Sequence, residues 1–131
     1  YERDSDFADV ARENMAVAGV AETVEVRTGD ITDDLEALTD GEPFDLLTLD
    51  TEDAPAVVGR AAELLAPGGY LAVYSPFVEN SRASVEAAEA AGLSAIEAVE
   101  TIQRELTVDD RGTRPSTAGV GHTGYLIFAR R

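Results

Sequence analysis

The chain has 131 residues, of which 44% are hydrophobic, a composition that favours one globular domain with its own core and excludes a disordered chain. It has no cysteine and a single histidine, His122, which excludes disulfides, thiolate metal sites and multi-histidine metal sites within it. No apolar run is long enough to span a membrane and no secretory signal opens the chain. We therefore expect a cytoplasmic protein that takes neither a metal nor a membrane as partner.

Charge is the strongest compositional signal. The sequence carries 26 acidic and 10 basic residues, a net charge of −16, and every basic residue is arginine. At about 1 M salt such charges are screened within roughly 3 Å, so the composition predicts a halophilic, archaeal protein, with an ordinary acidic protein as the alternative. Residues 1–100 hold 23 acidic residues and 5 arginines, a net −18, whereas residues 101–131 hold 3 and 5, a net +2. The carboxy-terminal segment is thus the part expected to meet a polyanion, unless it is simply an arginine-rich strand.

Apolar spacing and turn residues predict the elements of the first half of the chain. They are a helix capped by Asp4 or Ser5 and closed at Gly19, a short strand over 23–27, a weak helix within 31–43, a strand over 44–49 and a helix over 54–65 closed by Pro67-Gly68-Gly69. The compact run 44–49, which ends at Asp50, is typical of a strand buried on both faces of a parallel sheet.

The second half continues the alternation. The pattern predicts a buried strand over 70–74 ending at Ser75-Pro76, a helix from a cap at Asn80 or Ser81 to Ala91, a strand-like segment over 95–108, a polar loop over 109–118 and a strand over 119–130. This order indicates an α/β fold, doubly wound, with a mostly parallel sheet and helices on both faces. The last two strands are expected to form a hairpin that adds an antiparallel edge.

Acidic residues follow the predicted strand ends. Glu2, Asp30 and Asp50 each stand where a strand would finish, and Ser75-Pro76 follows the next strand. Ligands of open parallel sheets bind outside those ends, so the three carboxylates are expected on one rim. A nucleoside offers a ribose diol and an exocyclic amine, which carboxylates accept well. Taken singly, each acid is a surface residue of an acidic chain, but three in succession favour a nucleoside site.

Several segments resemble a known enzyme family. Tyr1-Glu2, Gly29-Asp30, the segment Phe-Asp-Leu-Leu-Thr-Leu-Asp at 44–50 and Leu-Ala-Pro-Gly-Gly at 65–69 resemble the Rossmann-like core of class I S-adenosylmethionine-dependent methyltransferases. Ala-Val-Tyr-Ser-Pro at 72–76, Arg104-Glu105, Arg114-Pro115 and, above all, Gly-His-Thr-Gly-Tyr-Leu at 121–126 resemble the tRNA (adenine-N1)-methyltransferase family, which modifies a T-loop adenosine.

The resemblance implies roles for individual residues. Glu2 would hold the ribose hydroxyls of S-adenosylmethionine and Asp30 its adenine amine, while Asp50 would be the catalytic carboxylate beside the methyl donor and the target base. The family segments that carry Arg104, Arg114 and His122 face the substrate side. The implied reaction is methyl transfer to N1 of an adenine in the tRNA T-loop, and the family's tetramer implies a homo-oligomer.

Other interpretations stay open. His122 between two glycines is as readily a structural residue as a substrate contact, and Tyr74 and Tyr125 are more typical of packing than of base stacking. A class I methyltransferase acting on a protein or a small molecule would share the core motifs. A non-catalytic assembly module is the third reading.

The family's first strand and glycine-rich loop would precede Tyr1, so residues 1–131 are expected to be the carboxy-terminal portion of one catalytic methyltransferase domain. Backbone N–H groups of that loop bind the cofactor's carboxypropyl end. We therefore expect the 131-residue chain alone to bind S-adenosylmethionine very weakly. Isothermal titration calorimetry at molar salt measures this, and micromolar affinity would contradict it.

Overall fold

The computed structural model describes residues 1–119 and 121–131. For His122 the description covers the backbone and not the side chain. The chain divides into two compact units, an amino-terminal unit of residues 1–41 and a carboxy-terminal unit of residues 42–131. The helices are α1 Ser5–Val17, α2 Ile31–Thr39, α3 Ala54–Val58, α4 Ala61–Leu64 and α5 Val78–Ala90. The strands are β1 Phe44–Leu49, β2 Leu65–Ser75, β3 Ser94–Gln103, β4 Leu106–Asp109, β5 Gly112–Pro115 and β6 Gly121–Arg130. Within this described part, no helix has the length and apolarity to cross a membrane.

The two helices of the amino-terminal unit begin at aspartate caps. Asp4 Oδ1 accepts the backbone N–H groups of Asp6 at 2.8 Å and Phe7 at 3.3 Å, which confirms the predicted start of α1. The closing glycine is also confirmed, because Gly19 has a φ of +72° just after the helix. Arg12 on α1 donates to Val26 O at 3.0 Å and to Thr28 Oγ1 at 2.7 Å. These two bonds fix the helix against the segment that leads to Thr28.

The predicted strand over 23–27 is wrong as a strand. Residues 24–27 belong to no strand, and the segment makes one isolated parallel bridge, between Glu2 and Thr28. Glu2 N donates to Arg27 O and Gly29 N to Glu2 O, both at 2.9 Å. A strand needs a neighbour along its length, and among the described residues this segment pairs with Glu2 alone.

The carboxy-terminal unit holds a four-stranded sheet in the order β1-β2-β6-β3. β1 and β2 are parallel, and β6 runs antiparallel to both β2 and β3, so three of the four strands share one direction. The predicted α/β class and the pairing of the last two long strands are confirmed. The antiparallel strand is not at the edge, however. β6 is inserted between β2 and β3, and β3 forms the edge.

The core of this unit lies on one face of the sheet. Leu71, Val73 and Ile127 are buried, and α5 packs against β2, β3 and β6 on the same unit. On the other face, Tyr70 is 51% and Phe128 39% exposed. The expectation that the strands over 44–49 and 70–74 are buried on both faces is wrong. Burial alternates along β2, and β1 is an edge strand of the four-stranded sheet whose Leu46 is 57% exposed.

The predicted helix over 54–65 is two short helices. α3 ends at Val58 with Gly59 as its C-cap, and α4 starts after Arg60, although the predicted apolar face is buried in both, at Ala54, Val57, Val58, Ala61 and Leu64. Glycine is about 1 kcal/mol poorer than alanine within a helix, so the break falls at the weakest residue of the segment. The chain then enters β2 five residues earlier than expected. Phe44 pairs with Leu65 but Leu46 with Tyr70, so residues 66–69 bulge out of the parallel ladder.

α5 begins earlier than predicted because its polar residues have other partners. Phe77 is the N-cap, and Ser75 Oγ accepts its N–H at 3.1 Å while Ser81 Oγ donates to its carbonyl at 2.9 Å. The strand-like segment 95–108 is also divided. β3 ends at Gln103, and the end of the segment forms β4, which pairs in a separate two-stranded hairpin with β5, a strand inside the predicted polar loop.

A tyrosine on β2 packs against a glycine on β6. The Tyr74 hydroxyl donates to Thr123 O at 2.7 Å, and a Cβ on Gly124 would lie 2.2 Å from the Tyr74 ring. Gly124 also has a φ of +149°, a conformation that disfavours side chains. The structure thus favours the packing interpretation of Tyr74 and explains the second glycine of the Gly-His-Thr-Gly motif.

We expect Gly124→Ala to destabilise the fold by about 1–3 kcal/mol, because the new methyl group overlaps the Tyr74 ring in a packed site. Thermal and denaturant unfolding of purified variants measure the loss. Gly121→Ala is the matched control on the same strand, since nothing lies within 4 Å of its added Cβ. Equal stability of the two variants would show that the Tyr74 contact does not require glycine.

Candidate functional site

The amino-terminal unit brings two of the predicted cofactor carboxylates onto adjacent segments. Glu2 forms the parallel bridge with Thr28, and its carbonyl accepts Gly29 N at 2.9 Å. Gly29 has a φ of +145°, which suits glycine, and the chain turns there into Asp30 at the start of α2. Glu2 and Asp30 therefore stand at the ends of two neighbouring parallel segments, as the sequence predicted for this pair.

The Asp30 carboxylate is held by three contacts. Oδ1 accepts Thr32 N at 2.9 Å and Thr32 Oγ1 at 2.7 Å, and Oδ2 lies 3.0 Å from Nη2 of Arg3. These contacts, led by the Thr32 hydroxyl and with Arg3 the weaker contributor, hold the pKa of Asp30 below its ordinary value. The carboxylate is thus ionised at neutral pH, oriented, and part of the α2 N-cap.

Glu2 is half-buried and also stabilises a helix start. Its Oε1 accepts the backbone N–H of Asp4 at 2.9 Å, next to the cap of α1. Both carboxylates of this unit are therefore structural acceptors as well as candidate ligands. Removing either side chain would weaken a helix terminus, so a loss of binding in an alanine variant needs a stability measurement beside it.

The third predicted carboxylate, Asp50, belongs to the carboxy-terminal unit. It is exposed and follows Leu49, the last residue of β1, which pairs with Val73 on β2. The loop after it is fixed, because Ala54 N donates to Thr51 O at 3.2 Å and Asn80 Nδ2 donates to Glu52 O at 2.7 Å. Within the described residues the buried Asn80 Oδ1 has no hydrogen-bond partner. Asp50 thus projects from a held loop at the carboxyl end of β1.

Arg104 lies on a part of the sheet that extends past β2. Ser75 at the end of β2 pairs with Tyr125, whereas β6 continues back to Gly121, which pairs with Gln103. Four residues at about 3.4 Å each make an overhang of roughly 13 Å. A groove of about 340 Å³ opens there, lined by Gln103, Arg104, Glu105, Ser116, Ala118, Gly119, Gly121 and Thr123. Arg104 Nη2 donates to Ser116 O at 3.3 Å, which holds the side chain in the groove.

Arg114 and His122 lie on two different strands, β5 and β6. Arg114 lies on β5, with Nη2 3.3 Å from Asp109 Oδ2, in a separate hollow of about 300 Å³ that Arg104 does not line. His122 pairs with Ile102 in the β3–β6 ladder, and its side chain lies outside the described residues. A further hollow of about 430 Å³ beside Arg12 and Met15 contains none of the predicted site residues. In the described part of the chain, no three His, Asp or Glu side chains are grouped so that they could hold a metal ion.

Three residues of the site escaped the sequence analysis. Thr32 had a usable signal, since Asp-x-Thr followed by two aspartates is typical of a capped helix start. Arg3 and Asn80 had none, because their partners are Asp30, 27 residues away, and the carbonyl of Glu52, 28 residues away.

Comparison with known proteins identifies similar chains. No protein-family profile matches this sequence. The tRNA (adenine(57)-N(1)/adenine(58)-N(1))-methyltransferase of Methanocaldococcus jannaschii is 29% identical over 152 aligned residues, which cover 99% of this chain and 54% of that protein. A crystal structure of a S-adenosylmethionine-dependent O-methyltransferase from Thermotoga maritima matches with a TM-score of 0.82 and 27% identity, over 100% of this chain and 48% of the other. The tRNA (m1A58) methyltransferase of Aquifex aeolicus matches with a TM-score of 0.76 and 21% identity, over 98% and 51%.

These similarities confirm the predicted fold and the predicted resemblance. The chain has a Rossmann-like class I methyltransferase fold, and it is similar along its whole length to tRNA (adenine-N1)-methyltransferases. It spans about half the length of the curated relative, 54%.

We expect Asp30→Ala to cost about 1 kcal/mol of stability through loss of the α2 cap, and Asp30→Asn to cost much less because asparagine caps as well as aspartate. Chemical denaturation of both variants measures the difference. Asp33→Ala, in the first turn of the same helix, is the control for removal of one surface charge. Equal losses in Asp30→Ala and Asp33→Ala would contradict a capping role.

Proposed function

We propose that the complete gene product carrying this chain transfers a methyl group from S-adenosylmethionine to N1 of an adenine in the T-loop of tRNA. Residues 1–131 would be the carboxy-terminal portion of its catalytic domain. The observation that carries this proposal is the similarity to the Methanocaldococcus enzyme along 99% of the chain. The match to methyltransferase structures supports the reaction class independently.

The residues of the amino-terminal unit suit the adenosine part of that cofactor. A ribose diol and an exocyclic amine are donors, and Glu2 and Asp30 present carboxylate acceptors on neighbouring segments. In our proposal Glu2 binds the ribose hydroxyls and Asp30 the adenine amine. When bound, the cofactor supplies a methyl group on a positively charged sulfur.

Asp50 is proposed as the catalytic carboxylate. Adenine N1 has an in-plane lone pair and is neutral at pH 7, so no strong base is needed to create the nucleophile. Methylation makes the ring cationic, and a carboxylate at the exocyclic amine stabilises the developing charge. The loop held by Thr51 and by Asn80 fixes the direction from which Asp50 approaches. N1 lies on the Watson–Crick edge, so the target base must leave its pair to reach the carboxylate.

The substrate side is proposed to use Arg104, Arg114 and His122. The strongest structural support is for Arg104, which is held in the groove of the overhanging β3–β6 ladder. An RNA is long enough to contact both Asp50 and a groove that projects beyond the sheet edge. As for the family, we propose a cytoplasmic homo-oligomer with tRNA as its partner.

One observation favours a second candidate. The Thermotoga protein, whose structure matches with a TM-score of 0.82, is an O-methyltransferase, so a small-molecule acceptor on the same fold is the competing function. The two candidates differ in the acceptor atom, which a product analysis identifies directly.

We expect the complete gene product to incorporate tritium from labelled S-adenosylmethionine into unmodified tRNA in molar salt. Nucleoside mass spectrometry should identify the product as 1-methyladenosine. Asp50→Ala should lower the rate at least about a hundredfold, the size of effect seen when one group that stabilises developing charge is removed.

Asp45→Ala is the matched control, because Asp45 is an exposed aspartate of the same strand. It should retain the wild-type rate. Label found in a small molecule instead of RNA would support the second candidate, and full activity of Asp50→Ala would remove Asp50 from the mechanism.

A further inference from the structure

The Asp30 carboxylate has few positions left for a ligand. A carboxylate offers about four lone-pair positions, two on each oxygen. Thr32 N and Thr32 Oγ1 take both positions on Oδ1, at 2.9 and 2.7 Å. Arg3 takes one on Oδ2, at 3.0 Å. Among the described residues no other donor reaches the carboxylate, so one position, on Oδ2, is open.

The two kinds of contact differ in strength. Thr32 lies on the same helix turn as Asp30 and bonds it through both backbone and side chain, so Oδ1 is fixed as long as α2 is folded. Arg3 is reached across the bridge between Glu2 and Thr28, and its side chain is 55% exposed against 29% for Asp30. An exposed ion pair is weak and is screened by salt. The Arg3 contact is therefore the adjustable one.

We propose that Arg3 is a specificity-determining residue that acts through Asp30, competing with a purine amine for Oδ2 in a salt-dependent way. The inference rests on the proposed function, in which Asp30 binds the adenine amine of the cofactor. An amine that arrives at Oδ2 shares this oxygen with the guanidinium or displaces it. The positive charge of Arg3 partly neutralises Oδ2. Arg3 therefore makes Oδ2 a weaker acceptor for the amine of an amino purine. It also reduces the repulsion between Oδ2 and the carbonyl oxygen that an oxo purine carries at the same position.

The consequence is a selectivity that increases with salt. At low ionic strength Arg3 stays on Oδ2 and the site discriminates poorly between amino and oxo purines. At about 1 M salt the Debye length falls to roughly 3 Å, the pair loosens, and the bare carboxylate favours the amine. A chain with a net charge of −16 is suited to concentrated salt, so the high-salt regime of this selectivity is the one in which the protein is expected to work.

The test compares two ligands in calorimetric titrations of the complete gene product, S-adenosylhomocysteine and its deaminated analogue S-inosylhomocysteine. We expect Arg3→Met to bind S-adenosylhomocysteine about two- to fivefold more tightly than wild type at about 0.2 M KCl, the size of effect that an exposed ion pair has on an equilibrium. Affinity for S-inosylhomocysteine should not increase. At about 2 M KCl the variant and the wild type should converge on the same ratio of the two affinities.

Two variants control for charge and for folding. Arg82→Met removes another exposed, ion-paired arginine, which is 78% exposed against 55% for Arg3 and pairs with Glu86 on α5, and should leave both affinities unchanged. Arg3→Lys restores the charge and should restore the wild-type ratio. Weaker binding of both ligands by Arg3→Met, or equal effects of Arg3→Met and Arg82→Met, would overturn the role of Arg3 but leave the proposed function standing. Absence of S-adenosylhomocysteine binding by the wild-type protein would overturn the proposed function and the inference with it.

Discussion

The carboxy-terminal unit depends on the pairing of β6 with two neighbours. β6 runs antiparallel between β2 and β3, and without it β3 has no partner in the four-stranded sheet. The pairing fixes the position of residues proposed for the substrate side, because β3 and β6 continue together beyond the end of β2. Gly124 permits it, since the Tyr74 ring occupies the space where a side chain would lie. A packing contact thus sets the position of the groove that holds Arg104.

In the amino-terminal unit one carboxylate has two uses. Asp30 caps α2 through Thr32 and presents its second oxygen to Arg3 and to any bound donor. The same bonds that stabilise the helix start keep the carboxylate ionised and limit its rotation. Binding then requires little reorganisation of the acceptor, which is an advantage for a site that must orient its ligand. In the proposed function stability and recognition would share this residue, so a mutation would affect both unless it preserves the cap.

The strands and helix caps that depend on local sequence patterns could be predicted from the sequence. β1, β6 and the caps of α1 follow from apolar runs and a single aspartate, and the structure confirms them. Local patterns could not show which segments pair with each other in the folded chain. Residues 23–27 have strand-like alternation, but among the described residues the segment pairs only through the bridge of Thr28 with Glu2, and β5 of the β4–β5 hairpin lies in a stretch predicted to be a polar loop. Of the site, the acidic residues were predictable from strand ends, whereas Arg3 was not, because its partner lies 27 residues away.

The distribution of charge bears on how a polyanion could be bound. At high salt the release of counterions adds little to affinity, so shape and hydrogen bonds must carry more of the recognition. Arginine suits this condition, because its planar fork of donors binds phosphate and base edges by geometry as well as by charge. The chain has ten arginines and no lysine, and five of them lie in the last 31 residues, which carry a net charge of +2. Arg104, held by Ser116 in an open groove, is already oriented for such contacts. An acidic surface and an RNA substrate are therefore compatible, provided that the contacts are few, directional and placed on the overhanging ladder.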